Sequence, residues 1–123
     1  MKQVKPKAVN NIYKLDATGE IFGRFASKVA AMLYGKNSCH FRPYKTSSNK
    51  VIVANILKLK ISGKKLKQKK YHRFTGYPSG IKTFSLEYCW QKDPILVFKK
   101  TVYDMLPKNK IRKKIIKNLT VKL

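Results

Sequence analysis

Four consecutive apolar residues, Val51-Ile52-Val53-Ala54, set the narrowest limit on how this chain can fold. A strand with one solvent-exposed face alternates apolar and polar residues, but this segment is apolar on both of its alternating faces. Strands with that pattern occur in sheets that helices cover on both sides. The segment therefore predicts a central strand, buried on both faces, in an α/β fold.

Upstream of this strand, the chain predicts one strand and one helix. Residues 12–15 form a short β-prone run that ends at the turn residues 16–19. Apolar residues then recur at helical spacing from Phe22 to Leu33, and Gly35 suits the left-handed conformation that closes many helices. These patterns predict a strand and then an amphipathic helix that ends at Gly35.

Downstream of the buried strand, strand and helix patterns continue to alternate. Apolar residues alternate with lysine over residues 57–61 and predict a second, half-buried strand. The remaining patterns predict a short helix with Phe84, Tyr88 and Trp90, a longer helix over residues 95–106, a last helix with Ile111, Ile115 and Leu119 inward, and a closing strand over residues 120–123. This order favours an α/β fold with a mainly parallel sheet, in one domain over residues 12–123 that follows a basic, polar lead, residues 1–11.

The balance of charge limits the partners of the chain. Among its 123 residues, 29 are Lys or Arg and 5 are Asp or Glu, which gives a formal net charge of +24. Such an excess indicates an anionic partner. Because 43% of the residues are hydrophobic and 11% are aromatic, the chain can also build a core, unlike a disordered basic tail.

A membrane is a poor candidate for that anionic partner. No apolar run approaches the roughly 18 to 20 residues that cross a bilayer, and residues 1–11 carry no signal-peptide core. A cationic membrane-surface protein favours a helix with a broad apolar face free for lipid, whereas these helices are expected to cover a strand. We therefore expect no membrane partner and expect the protein to work where it is made.

The residues that commonly carry catalysis or bind metals are few and scattered. The carboxylates show no pairing suited to acid–base chemistry: Asp16, Glu20, Glu87, Asp93 and Asp104. The thiol and imidazole groups match no zinc-module spacing: Cys39, His40, His72 and Cys89. The sequence predicts no enzyme, no small-molecule substrate, no metal and no cofactor, with Asp16 in a turn and both cysteines as buried free thiols.

The densest functional signal is a basic segment, residues 64–82, in which cations give way to aromatic residues and glycines. Cations neutralise phosphates, aromatic rings stack on bases, and glycines let the backbone approach a sugar-phosphate chain closely. The alternative is a solvated charged hairpin, which has little need of so many aromatic residues and glycines. The candidate RNA-contacting residues of this segment are Lys64, Lys65, Lys69, Lys70, Tyr71, Arg73, Thr75, Gly76, Tyr77, Gly80 and Lys82.

Three further groups of cations are candidates for the same role. Arg24 and Lys28 lie one turn apart on the first predicted helix, although such residues often form only a solvated face. Lys36 and Arg42 form a weaker group, for which a plain surface loop is an equal alternative. The third group is the C-terminal helix, where four lysines and one arginine crowd a short segment and repel one another without counter-anions: Lys110, Arg112, Lys113, Lys114 and Lys117.

Four motifs in the chain carry a resemblance to a known family. They are Asp16-Ala17-Thr18-Gly19, Phe22-Gly23-Arg24-Phe25-Ala26-Ser27, the segment Tyr71 to Lys82, and Met105-Leu106-Pro107-Lys108-Asn109-Lys110. In this order and at these distances they resemble the universal L-thirteen family of large-subunit ribosomal proteins, in its bacterial or organellar type. The resemblance spans residues 12–123.

The resemblance implies a three-layer α/β/α sandwich around a four-stranded, mainly parallel sheet. It also implies a structural constituent of the large ribosomal subunit, in a bacterial cytoplasm or in an organelle such as a plastid or mitochondrion. Such a protein binds large-subunit ribosomal RNA through phosphate contacts, meets neighbouring large-subunit proteins and supports early subunit assembly and translation. No catalysis and no metal are implied.

The resemblance also bears on individual residues. It places the RNA-facing loop of the family on the basic segment, its helix-start contact on Arg24, and further contacts on Lys108 and Lys110. One departure is Phe74, which stands where the family usually has histidine and suggests stacking or packing in place of an imidazole contact. A rival of another class is a DNA-compacting protein or general RNA chaperone, which protection of RNA at a fixed site would distinguish.

Overall fold

The computed structural model describes residues 11–123, so the predicted N-terminal lead, apart from Asn11, lies outside the described residues. The strands are β1 (Ile12–Asp16), β2 (Lys50–Ala54), β3 (Lys70–Phe74), β4 (Ile81–Ser85) and β5 (Leu119–Val121). The α-helices are α1 (Phe22–Tyr34), α2 (Lys65–Gln68), α3 (Leu86–Lys92), α4 (Pro94–Met105) and α5 (Arg112–Ile115). Among these helices, none combines the length and apolar character needed to cross a bilayer.

The main sheet has three parallel strands in the order β1-β2-β5, so the prediction that Val51 to Ala54 form a central strand is confirmed. Val51 of β2 faces Tyr13 of β1 and Leu119 of β5 in one row across the sheet. Val51 and Val53 are fully buried, and Leu119 is nearly so. This face of the sheet forms one wall of the core.

The opposite face of the sheet contradicts the expectation that β2 is buried on both sides. Ile52 faces Lys14 of β1 and Thr120 of β5 in the next row. Lys14 and Thr120 are exposed, and Ile52 is only half-buried between them. The α/β class is confirmed. Within residues 11–123, however, the parallel sheet has three strands and not the predicted four. Because one of its faces is partly exposed, the sheet is not the middle layer of a three-layer sandwich.

The strand predicted over residues 57–61 is wrong. Residues Ile56–Lys58 form a 3₁₀ turn, which follows Asn55 in the left-handed conformation at φ +57°. Ile56 and Leu59 are buried three residues apart, while Leu57 points to solvent. A 3₁₀ turn places residues i and i+3 on the same face, which accounts for this spacing. The alternating sequence over residues 57–61 therefore belongs to a turn and not to a strand. Only Lys60 forms a strand-like parallel bridge, with Ile21.

Helix α1 ends as predicted. Gly35 adopts φ +83°, and its backbone N–H donates to the carbonyl oxygens of Ala31 and Met32. The buried stripe of α1 packs against α4, where the ring centroids of Phe25 and Phe98 lie 5.9 Å apart. The predicted longer helix is confirmed as α4, which begins at Pro94, a position that suits the missing N–H of proline.

The second sheet is an antiparallel hairpin of β3 and β4 that is separate from the parallel sheet. Phe84, predicted in the short helix, lies in β4 instead, because Ser85 caps α3 by accepting a hydrogen bond from the Tyr88 N–H at 3.3 Å. The last helix that the sequence predicts, with Ile111, Ile115 and Leu119 inward, is shorter in the structure. It covers α5 and a 3₁₀ turn over Ile116–Asn118, and Leu119 already belongs to β5.

Candidate nucleic-acid interface

The basic segment, residues 64–82, is folded and is not an open loop. It comprises the one-turn helix α2, strand β3, a tight turn and the first residues of β4. The side chains of its lysines and arginine are exposed: Lys64, Lys65, Lys69, Lys70, Arg73 and Lys82. Helix α2 and its caps therefore position Lys64, Lys65 and Lys69, and the paired strands position Lys70, Arg73 and Lys82.

Two cations face each other directly across the hairpin. The register pairs Arg73 of β3 with Lys82 of β4, on the same face as the neighbouring pair of Tyr71 and Phe84. Like charges that are directly opposite on two strands destabilise a hairpin. Because both side chains are exposed, the arrangement offers a phosphate two cations at one point of the strand pair.

The turn at the end of the hairpin is closed by Thr75 and Gly80. The backbone N–H and the hydroxyl of Thr75 both donate to the carbonyl oxygen of Gly80, each at 2.9 Å. A Cβ atom on Gly80 would collide with the Thr75 hydroxyl and lie 2.8 Å from the Tyr77 carbonyl oxygen. Gly76 adopts φ +89°, a conformation that glycine tolerates best. The conformation of the turn therefore explains glycine at both positions. The Tyr77 side chain, also in the turn, is 75% exposed to solvent.

Tyr71 differs from the other candidates, because it is half-buried and packs against the core. Its hydroxyl is buried without a hydrogen-bond partner, and burial raises the pKa of that hydroxyl above its ordinary value of 10.0. Phe74 and Ile81, which pair at the far end of the strands, are by contrast 67% and 64% exposed. Of the aromatic residues in the segment, Phe74 and Tyr77 are free to stack on bases.

A groove of about 300 Å³ joins the foot of the hairpin to the start of α1. Its lining includes Lys65 and Lys69 from the basic segment, Gly23 from α1, and Met105 from the end of α4. Arg24 follows Gly23 and is exposed. The fold therefore brings the start of α1 beside the basic segment, although Arg24 itself does not line this groove.

A second groove, of about 420 Å³, continues along α1 and shares Met105 with the first. Its lining includes Ser27, Lys36 and Pro107, and the Ser27 hydroxyl lies 3.5 Å from the sulfur of Met105. Lys36 thus lies beside the chain segment that leads into Lys108. Helix α1, Lys36 and the end of α4, which are distant in sequence, therefore meet at this groove.

The remaining predicted cations are exposed, except half-buried Arg112, and do not line these two grooves. Lys28 lies on α1, and the Arg42 guanidinium donates to the Tyr44 hydroxyl at 2.9 Å in the loop that follows. The Arg112 guanidinium carbon lies 4.2 Å from the centroid of the Tyr103 ring on α4. The exposed lysines of the C-terminal segment are Lys108, Lys110 and Lys113.

Sequence analysis missed Lys100. Its helix, α4, carries the spacing of a core helix, and a single exposed lysine on such a helix gives no signal of its own. In the fold, the Lys100 ammonium lies 4.8 Å from the centroid of the Tyr71 ring. Only tertiary packing between the hairpin and α4 creates this proximity.

The structure shows the positions of a scattered carboxylate, Asp16, and of the two thiols. Asp16 accepts hydrogen bonds on one carboxylate oxygen from Asn55 and Thr18, which lower the pKa of Asp16, so this residue closes a turn as predicted. Cys39 is exposed and Cys89 is half-buried, so the expectation of two buried thiols is wrong. Within residues 11–123, no three His, Cys, Asp or Glu side chains converge on a point where a metal ion could bind.

Comparison with known proteins agrees with this geometry. The chain matches the family described as Ribosomal protein L13 over residues 10–121. It is 45% identical to the large ribosomal subunit protein uL13 of Wigglesworthia glossinidia brevipalpis, over 93% of this chain and 80% of that protein. The uL13 proteins of Pelotomaculum thermopropionicum and Aquifex aeolicus are 39% and 38% identical, over 95% and 97% of this chain and 83% of each relative. With nearly all of its length covered, the chain belongs to the ribosomal protein L13 family.

Proposed function

We propose that this chain is a structural constituent of the large ribosomal subunit and binds large-subunit ribosomal RNA through phosphate contacts. The observation that carries the proposal is the family match over residues 10–121. Proteins of this family are ribosome components and not enzymes, which agrees with the scattered carboxylates of the sequence. The relatives are bacterial, which supports a place in the large subunit of a bacterial-type ribosome.

The RNA-binding surface extends, in this proposal, from the hairpin across α1 to the C-terminal segment. Its support is the exposure of the cations and the two grooves that connect the hairpin, α1 and the segment after α4. The proposed contact residues are Arg24, Lys28, Lys36, Arg42, Lys64, Lys65, Lys69, Lys70, Tyr71, Arg73, Thr75, Gly76, Tyr77, Gly80, Lys82, Lys108, Lys110, Arg112 and Lys113.

Within this surface, the end of the hairpin differs in chemistry from its foot. Residues 74–81 carry no charged side chain, and they include exposed Phe74, Tyr77 and Ile81. Lys69 and Lys70 lie at the foot, whereas Arg73 and Lys82 pair directly next to the aromatic end. We assign these cations to phosphates and the aromatic end to unstacked bases, which bind aromatic rings by stacking. Neighbouring large-subunit proteins complete the set of partners, and support of early subunit assembly is the role proposed for the RNA contacts.

The test is a variant with Lys69, Arg73 and Lys82 all replaced by alanine. Exposed charges add little to stability, so circular dichroism and thermal melting should change little. Binding to a transcript of bacterial large-subunit ribosomal RNA should weaken by several kcal/mol in total, and incorporation into large subunits should fall. Wild-type incorporation of this variant would exclude the hairpin as the main RNA-binding surface.

A salt titration and chemical footprinting separate this proposal from a general RNA chaperone or a DNA-compacting protein. If roughly 6 to 10 phosphates are neutralised, the slope of log K against log salt should be about −5 to −9. A ribosomal constituent should protect the RNA at fixed positions. Uniform protection along the RNA, with equal affinity for unrelated duplex DNA, would favour the general polyanion binder.

A further inference from the structure

Two lysines from distant parts of the chain lie beside one tyrosine ring. The Lys69 ammonium is 5.5 Å from the centroid of the Tyr71 ring, and the Lys100 ammonium is 4.8 Å from the same centroid. Both distances are within the range in which a cation is attracted to an aromatic ring. Lys69 directly precedes β3, whereas Lys100 lies on α4, so the ring links the hairpin to the helix.

The position of the Tyr71 ring is fixed independently of the lysines. Tyr71 is paired with Phe84 in the hairpin and packs against the core, and its hydroxyl is buried without a partner. Because the hydroxyl is buried, it is not available to a ligand at the surface. The aromatic face of Tyr71 is therefore the part of this residue that acts on the two ammonium groups.

Two ammonium groups near one ring repel each other, and this repulsion opposes the attraction of each group to the ring. Lys69 and Lys100 are both exposed, in a chain with 29 Lys and Arg residues and 5 Asp and Glu residues. The carboxylate one helical turn beyond Lys100 is that of Asp104, which is exposed to solvent. An anion with several oxygens that accept hydrogen bonds from both lysines would relieve the repulsion, and a backbone phosphate has this chemistry.

We propose that Lys69 and Lys100 form a phosphate-binding site for the RNA backbone, and that Tyr71 is the positioning residue that holds both ammonium groups in place before RNA binds. This inference rests on the proposed function and deepens it, because it adds α4 to the RNA-binding surface and changes the role of Tyr71 from base contact to support. Ordering two long side chains in advance removes part of the entropic cost of binding.

The surroundings of Lys100 indicate where the RNA backbone continues. Lys100 and Tyr103 line one groove of about 560 Å³ on α4. The guanidinium of Arg112 stacks on the Tyr103 ring at 4.2 Å, which repeats the pairing of a cation with an aromatic ring one turn along the helix. The site thus lies between the hairpin and the C-terminal cations.

The first test measures RNA affinity against salt for Lys100→Gln and for Lys92→Gln as the matched control. Lys92 is an exposed lysine at the end of α3, and the two variants lose the same charge. Loss of one phosphate contact should reduce the magnitude of the salt slope by about one unit and weaken binding about fivefold to tenfold at 0.1 M salt. Lys92→Gln should keep the wild-type slope.

The second test separates the ring of Tyr71 from its hydroxyl. Tyr71→Phe keeps the ring and should bind RNA more tightly than Tyr71→Leu does. Tyr71→Leu keeps both lysines but frees them, so affinity should fall about fivefold while the slope stays within a few tenths of wild type. In the free protein, the side-chain methylene proton shifts of Lys69 and Lys100 should move toward random-coil values in Tyr71→Leu and remain in Tyr71→Phe.

The possible results separate the two proposals. If wild-type protein shows no salt-dependent RNA binding, the proposed function fails and this inference fails with it. If wild-type protein binds but Lys100→Gln and Lys92→Gln have the same slope, the two-lysine site is wrong and the proposed function stands. If lysine proton shifts are unchanged in Tyr71→Leu, the ring does not position the lysines, and the role given to Tyr71 is wrong.

Discussion

Asp16 illustrates how one side chain joins the ends of two strands. One of its carboxylate oxygens accepts hydrogen bonds from the Thr18 N–H at 3.0 Å, the Thr18 hydroxyl at 2.8 Å and the Asn55 side-chain amide at 3.0 Å. Asp16 ends β1, and Asn55 directly follows β2. The bond from Asn55 is the largest of the effects that lower the pKa of Asp16 below 3.8, followed by those from Thr18.

This lowered pKa predicts a dependence of stability on pH. The folded protein binds the Asp16 proton less tightly than the unfolded chain, so the contribution of Asp16 is complete above pH 3.8 and is lost as pH falls through the lower folded pKa. Urea unfolding at a series of pH values between about 2 and 6 measures it. The free energy of unfolding should fall less steeply with acid in Asp16→Asn than in the wild type. Parallel curves would mean that Asp16 does not contribute.

Val53 provides the sharpest residue-level test of the core. It is fully buried in β2, so Val53→Asp places a carboxylate without a partner against apolar neighbours. The expected cost is several kcal/mol, against a typical domain stability of about 5 to 15 kcal/mol. Solubility and circular dichroism should show little folded protein. The control is Thr120→Asp, an exposed position on the neighbouring strand β5, which should fold normally.

The hairpin of β3 and β4 shows a conflict between stability and binding at the level of an element. Arg73 faces Lys82 across the strands, although opposite charges would stabilise this position. The pairing is set by the turn, where Thr75 bonds twice to Gly80. An element that keeps a repulsive pair in a fixed register is better suited to an anionic partner than to its own stability.

This conflict predicts changes of opposite sign from one substitution. Arg73→Glu replaces repulsion with attraction to Lys82, so the melting temperature should rise by about 2–5 °C at low salt. The same substitution places an anion beside RNA phosphates, so RNA affinity should fall more than tenfold. Thermal melting and filter binding on the same samples measure both effects. A fall in both stability and affinity would show that Arg73 has a structural role that the register does not explain.

Sequence patterns identified the elements whose signal is local. The helical spacing from Phe22 to Leu33, the cap at Gly35 and the apolar run of β2 all depend on neighbours within a few residues. Residues 57–61 were mistaken for a strand because Leu57, Leu59 and Ile61 alternate with lysines, although the structure buries Ile56 and Leu59 three residues apart and exposes Leu57. Periodicity alone does not separate a short turn from a short strand.

The candidate site shows the same division between local and tertiary information. Charge density marked the basic segment, but the position of Lys82 opposite Arg73 follows from hairpin register. The proximity of Lys100 to Tyr71 follows from packing of α4 against the hairpin side of the core. Within residues 11–123, Lys14 and Thr120 are exposed beside half-buried Ile52, which the apolar pattern of β2 alone does not predict.

At the scale of the whole molecule, a small apolar core carries a formal net charge of +24. The core lies between one face of the parallel sheet and the helices α1 and α4, while lysines and arginines occupy the surface. Self-repulsion of this size destabilises a compact state. RNA neutralises the charge when it binds, so the folded state and the complex should respond to salt in opposite directions.

The last prediction uses that opposition. Raising NaCl from about 0.05 to 0.5 M shortens the screening length from more than 10 Å to less than 8 Å, so the melting temperature of the free protein should rise by several degrees. RNA affinity should fall over the same range with the steep slope proposed above, because released counterions no longer favour binding. The control is a variant with Lys113→Glu and Lys117→Glu, whose lower net charge should make the melting temperature depend less on salt. A melting temperature that is flat or falls with salt would mean that self-repulsion is not a major cost to this fold.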